Sequence, residues 1–167
     1  MKIVIILSLC FAQQFRTIAQ LTPNDLKNPI SISIKSCNKL SLGINEIPEF
    51  VLGIKNQFSK EAVTFPKYFS SSPKGGDRNN LNFEIYFFSG KDTLNITGMI
   101  SGYSDDFSRE VIKIETGSTY YFSPYLPNVN GYFNKPGLYG IRFILPKEFS
   151  KFNKSDVYTS WICINVK

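Results

Sequence analysis

The chain has 167 residues, of which 43% are hydrophobic and 15% aromatic, so it is long enough to bury a core of its own. It contains no histidine, which excludes Ser-His and Cys-His catalytic pairs and the ordinary zinc sites. The formal charge of +6 comes from 19 basic and 13 acidic side chains with no run of like charge, a pattern that argues against a nucleic-acid footprint.

Residues 1–19 read as a signal peptide: Lys2, an apolar run from Ile3 to Phe11, a polar stretch with Gln13, Gln14 and Arg16, and the small-residue end at Ala19. The apolar run is about half of the roughly 20 residues that a membrane-spanning helix needs, so the mature chain is expected to have no integral membrane span. A cut nearer Ala12 is the alternative, and Leu9 is too bulky for a lipoprotein signal at Cys10. Cleavage after Ala19 leaves 148 residues and lowers the charge to +4, because Lys2 and Arg16 leave with it. The expected destination is the periplasm, the cell surface or the medium. The organisation predicted is an N-terminal segment at 20–29 followed by one β-sandwich domain at 30–167.

Residues 22–27 and 147–151 could each form about one helical turn, Thr22 capping and Pro23 opening the first. From residue 30 onward the chemistry is that of strands. Ile30, Ile32 and Ile34 alternate with Ser31, Ser33 and Lys35, as in a strand buried on one face. Further strands are predicted at 49–56, 61–65, 82–89, 92–100, 108–115, 119–124, 138–145 and 158–166, about nine in all, with turn residues roughly every ten positions. That spacing predicts an all-β fold, a sandwich or barrel. Gly90 sits in a predicted hairpin turn at 89–92. The stretch 70–80 is too rich in Ser, Gly and Asn for a core and is expected to be an exposed loop, and 124–136 is a second long connection.

Once Cys10 is removed, Cys37 and Cys163 are the only thiols in an oxidising compartment and are expected to pair. The bridge would close a loop of about 125 residues and contribute roughly 4 to 5 kcal/mol in the chain-entropy view. Trp161 and Cys163 are two apart, hence on one face of the last strand. If that face is inward, the indole packs beside the disulfide.

One constellation is more specific. The segment Ile112-Lys113-Ile114-Glu115-Thr116-Gly117-Ser118-Thr119-Tyr120-Tyr121-Phe122, followed by Lys135-Pro136-Gly137-Leu138-Tyr139-Gly140-Ile141-Arg142-Phe143, resembles the paired-strand signature of small exported immunoglobulin-like domains. The segment 50–59 resembles the strand and turn that open such domains, and the proteinase-inhibitor (BsuPI-like) domain family has comparable motifs. The resemblance implies an immunoglobulin-like antiparallel β-sandwich of seven to nine strands. Gly137, Tyr139 and Trp161 are its framework residues, with the Tyr139 hydroxyl bonded back to the backbone at a sheet corner.

For function, the pattern predicts no enzyme and no cofactor or metal. Asp105-Asp106, Glu84, Glu110 and Glu115 leave catalysis by two carboxylates open, since a sequence does not give their separation, while the alternating oxygen-ligand pattern of a calcium loop is missing. The expectation is an exported non-catalytic binding or structural module of the cell envelope, whose partner is a protein or a glycan. The alternatives are an inhibitor of an extracellular protease or other hydrolase, and a glycan-binding module. Candidate contact residues are Lys74, Asp77 and Arg78 in the first loop and Tyr125, Tyr132 and Phe133 in the second, with Tyr120 and Tyr121 as further rings for a glycan. Asn95-Ile96-Thr97 and Asn153-Lys154-Ser155 are N-glycosylation sequons.

Overall fold

The alternation at the start of the first strand has its expected result: Ile30 and Ile32 are buried and Ile34 packs against the core, while Ser33 and Lys35 face outward. A computed structural model describes residues 28–57, 60–67, 71–73, 81–88, 93–95, 111–124, 126, 131–149 and 152–167. The predicted leader at 1–19, the 22–27 turn, Lys74, Asp77, Arg78 and Tyr125 lie outside them. Among the described residues no helix is long and apolar enough to cross a membrane.

In chain order the strands are β1 (Ile30–Cys37), β2 (Ser41–Leu42), β3 (Phe50–Asn56), β4 (Val63–Pro66), β5 (Ser71–Pro73), β6 (Leu81–Phe88), β7 (Thr93–Asn95), β8 (Val111–Ile114), β9 (Thr119–Phe122), β10 (Gly137–Leu145), β11 (Val157–Tyr158) and β12 (Ile162–Val166). A 3-10 turn at Lys147–Phe149 falls within the predicted helical turn. The fold is all-β. Two strands escape the sequence reading, and the single strand predicted at 158–166 is broken into β11 and β12. β2 is two residues long and pairs parallel to β12, and β5 lies inside the predicted 70–80 loop and pairs parallel to β6. Neither has the length or the alternation from which a strand is recognised.

A three-stranded sheet (β1-β3-β9) faces a larger one (β2-β12-β10-β6-β5, with β11 on β10 and β7 on β6), and β4 and β8 form a separate pair. Side chains alternate faces along a strand, so the register decides which ones meet. Phe83 stands opposite Phe143, Ile85 opposite Ile141 and Phe87 opposite Tyr139, all on the inner face of the larger sheet. Phe50, Leu52 and Ile54 line the inner face of the smaller one. Phe50 and Phe143 touch edge to face at 5.1 Å and join the two layers. Each fully buried side chain of this kind contributes about 1.5 to 3 kcal/mol relative to exposure. Val63, Phe65 and Ile114 of the β4-β8 pair belong to the same hydrophobic cluster.

Two polar devices hold the edges of this core. Asn56, wholly buried, donates through Nδ2 to the carbonyls of Glu61 (3.0 Å) and Ile114 (3.1 Å), tying β3 to the β4-β8 pair. The Tyr139 hydroxyl donates to the Lys135 carbonyl at 3.0 Å and accepts from the Lys135 N–H at 3.3 Å, which satisfies it although the residue is buried. Between them Gly137 adopts φ +142°, and a Cβ there would stand 2.6 Å from the Phe87 ring, so the turn requires glycine.

Candidate functional site

The best-defined outward feature is the 38–49 segment, which carries the chain from β1 to β3. It begins and ends on one another: the Asn38 N–H donates to the Glu49 carbonyl at 3.0 Å, and the Glu49 N–H donates to Asn38 Oδ1 at 2.9 Å. Inside this clasp the Glu46 N–H donates to the Gly43 carbonyl (3.1 Å) and Glu46 Oε2 accepts from the Gly43 N–H (2.9 Å). Asn45 takes the turn with φ 63°, a conformation that asparagine tolerates better than most side chains.

The segment is also bonded to the body of the protein. Leu40 and Leu42 carbonyls accept from the N–H groups of Asn165 (2.8 Å) and Lys167 (2.9 Å), and the Asn45 N–H donates to the Phe133 carbonyl (2.9 Å). Leu42 and Pro48 are buried and anchor it from below. Lys39 forms an ion pair with Glu46. The hydrogen bond from Lys39, with that from the Gly43 N–H, holds the Glu46 carboxyl below the usual carboxylate range, and Glu46 in turn raises the Lys39 ammonium.

On this fixed backbone three aliphatic side chains point outward: Leu40 is 53% exposed, Ile44 49% and Ile47 40%. Isolated exposed aliphatics need no explanation, but three within eight residues of a hydrogen-bonded segment form a local apolar surface. Sequence reasoning missed them. The available signal was apolar residues set among turn formers, in Gly43-Ile44-Asn45-Glu46-Ile47-Pro48, where solvent-facing positions are ordinarily polar.

The candidates named from sequence fare differently. Tyr132 and Phe133 are core residues rather than contact residues, at 6% and 0% exposure. Tyr132 packs edge-on to Phe83 at 5.8 Å and Phe133 to Tyr139 at 5.2 Å, because the chain folds inward before the Pro136-Gly137 turn. Tyr120 is partly buried and stacks on Phe122 at 6.1 Å, which leaves Tyr121 as the exposed ring among the described candidates. Among the described residues these rings form no exposed row.

The Cys37–Cys163 bridge is not made. Cys37 is a free thiol that donates to the Lys39 carbonyl at 3.1 Å, with burial raising its pKa. Cys37 lies opposite Phe50 on the smaller sheet, whereas Cys163 lies opposite Gly140 on the larger one. The Trp161 face is likewise outward. Ile164 and Val166 take the inward positions of β12, and Trp161 rests over Gly140, edge-on to Tyr86 at 5.2 Å. There it helps enclose an ion pair. The Arg142 guanidinium lies 4.6 Å from the Trp161 ring and 4.4 Å from that of Tyr158, with its Nε donating to Glu84 Oε2 at 2.5 Å.

Among the described residues no three His, Cys, Asp or Glu side chains converge as a metal site would require. No family model matches the chain, and no curated protein matches it. A search of solved structures finds similarity to a β-glucosidase from Listeria innocua in complex with glucose, at 14% identity and a TM-score of 0.39. The match covers 83% of this chain and 16% of that one, and at that level it carries no argument about fold or activity.

Proposed function

We propose that the protein is an exported, non-catalytic module of the cell envelope, an immunoglobulin-like sandwich that binds a protein partner through the 38–49 segment. The observation that carries this reading is the outward display of Leu40, Ile44 and Ile47 on a backbone clasped at both ends and bonded to β12 and to residue 133. Such a segment has already lost its conformational freedom, so little further ordering opposes association. Seating the three side chains in an apolar cleft would contribute about 1 kcal/mol or more apiece. Inhibition of an extracellular hydrolase is the narrower form of the same reading, with 38–49 as the inserted segment in place of the two loops named from sequence.

The test compares the protein with its L40S/I44S/I47S variant, both immobilised and exposed to envelope extract and culture fluid of the source organism. A protein retained by the first and lost by the second, with the variant's melting temperature unchanged, supports the reading. Identical retention by both sinks it. If the retained protein is a hydrolase slowed by the intact protein alone, the inhibitor form stands.

A further inference from the structure

A second surface, independent of the 38–49 segment, lies on the outer face of the β1-β3-β9 sheet. Ser33, Gly53 and Tyr121 stand in one row across the three strands, and Ser31, Lys55 and Thr119 in the next. Because Gly53 has no side chain, the Tyr121 ring lies down across it: a Cβ at Gly53 would be 2.9 Å from Tyr121 Cε1 and 3.2 Å from Cδ1. The ring is nevertheless 51% exposed. It therefore rests against backbone and remains open to solvent.

Among the described residues of this face the charges around the ring have one sign. Lys35 is the extra residue of a β-bulge between Ile34 and Ser36, and its Nζ reaches to 5.9 Å from the Tyr121 centroid. Lys55 is exposed on the central strand. Among the described residues neither ammonium has a carboxylate partner, unlike Lys39 and Lys113, which pair with Glu46 and Glu115. The outward residues of the three strands include no acid, and Ser33 and Thr119 add hydroxyls beside the ring. The two lysines stand three to four residues apart along the strands, about 10 to 13 Å.

We infer that this face binds an acidic polysaccharide, the Tyr121 ring stacking on a sugar while Lys35 and Lys55 meet carboxylates along the chain. A single ring contributes too little to hold a neutral glycan, which would need several exposed rings, and Tyr121 is the one exposed ring on the described part of this face. Two unpaired cations on an acid-free face supply the rest by charge complementarity. They are too few for a nucleic-acid backbone, whose binding rests on many neutralised phosphates.

The test measures binding of the purified protein to polygalacturonate, to its fully methyl-esterified form and to oligothymidylate at low ionic strength. Binding to polygalacturonate is expected to exceed the other two by about tenfold. K35Q/K55Q should weaken it about tenfold, and Y121L, which keeps Gly53 covered, roughly fivefold. L40S/I44S/I47S should leave it unchanged, so this inference and the proposed protein-binding function can fail separately. The inference is overturned by absent binding, by equal binding of the ester, by equal or tighter binding of oligothymidylate, or by indifference to both K35Q/K55Q and Y121L. The lysine substitutions lie at exposed positions and do not threaten folding.

Discussion

The carboxamide of Asn153 closes both backbone hydrogen bonds of Ile30, its Oδ1 accepting from the N–H at 3.2 Å and its Nδ2 donating to the carbonyl at 3.3 Å. β1 is an edge strand, so Ile30 would otherwise present buried polar groups without a strand beside it. Asn28 reinforces the joint, with Oδ1 accepting from the Lys154 N–H at 3.2 Å and Nδ2 donating to Ser155 Oγ at 3.3 Å. Asn153→Ala should cost about 2 kcal/mol or more, the penalty of two unpaired backbone groups, and Asn153→Asp at least as much, since a buried carboxylate oxygen would replace the donor that faces the Ile30 carbonyl. Urea denaturation of both variants measures this. The same geometry turns the amide of the Asn153 sequon inward, at 8% exposure. Folded protein produced in a glycosylating host should therefore carry no glycan at Asn153 by mass spectrometry.

Tyr132 presents the opposite case, a buried hydroxyl with no hydrogen-bond partner among the described residues. Tyr132→Phe removes the unsatisfied group while keeping the ring against Phe83, so stability should rise by about 1 kcal/mol. An unchanged or lower urea midpoint would show that the hydroxyl is satisfied in solution.

Gly137→Ala tests the turn before β10. A Cβ would meet Phe87 at 2.6 Å, and φ +142° is unfavourable for a side chain, so both effects act in the same direction. A loss of about 2 to 3 kcal/mol is expected by thermal or chemical denaturation.

Arg142→Met leaves the Glu84 carboxylate buried, at 2% side-chain exposure, without its guanidinium, and removes the cation from between Tyr158 and Trp161. Removing one partner of a buried ion pair costs about 3 to 5 kcal/mol, and this guanidinium is partly exposed, so about 2 to 4 kcal/mol is expected. The double change Arg142→Met with Glu84→Gln should recover part of it.

Burial raises the Cys37 thiol and the Tyr132 and Tyr139 phenols. The folded state therefore holds these protons to higher pH than the unfolded chain does. Stability from each group is fully present below its unfolded value, about 8.5 for a thiol and about 10 for a phenol, and is lost as pH rises through the raised folded value. The urea midpoint should be flat from pH 7 to 8 and fall steadily above about pH 9. Alkylation of Cys37 should be slow at pH 7 in native protein and fast once it is unfolded.

The strand pattern was legible where one face of a strand is buried and the other is not. Alternation at 30–35 located β1 and its inward isoleucines, and the Pro136-Gly137-x-Tyr139 run located the turn into β10 and the tyrosine that closes it. Where pairing depends on a distant partner, the local pattern is silent. β2 and β5 exist because β12 and β6 lie alongside them, and two or three residues carry no period.

The binding surfaces were less legible. Aromatics at 132 and 133 look the same in a sequence whether they cap a core or line a loop, and only the inward course of the chain before Gly137 buries them. The two cysteines could be counted but not placed: their strands belong to different sheets, and Cys37 turns to its own chain at Lys39.

The all-β class follows from local chemistry, since β-branched alternation and turn residues act before any long-range contact forms. The tertiary structure alone decided which faces look outward. Leu40, Ile44 and Ile47 remain in solvent because the backbone beneath them is bonded to β12 and residue 133, and the Tyr121 ring lies flat because Gly53 stands opposite it on the neighbouring strand. Those facts depend on register and on contacts between residues far apart in the chain, which no local pattern encodes.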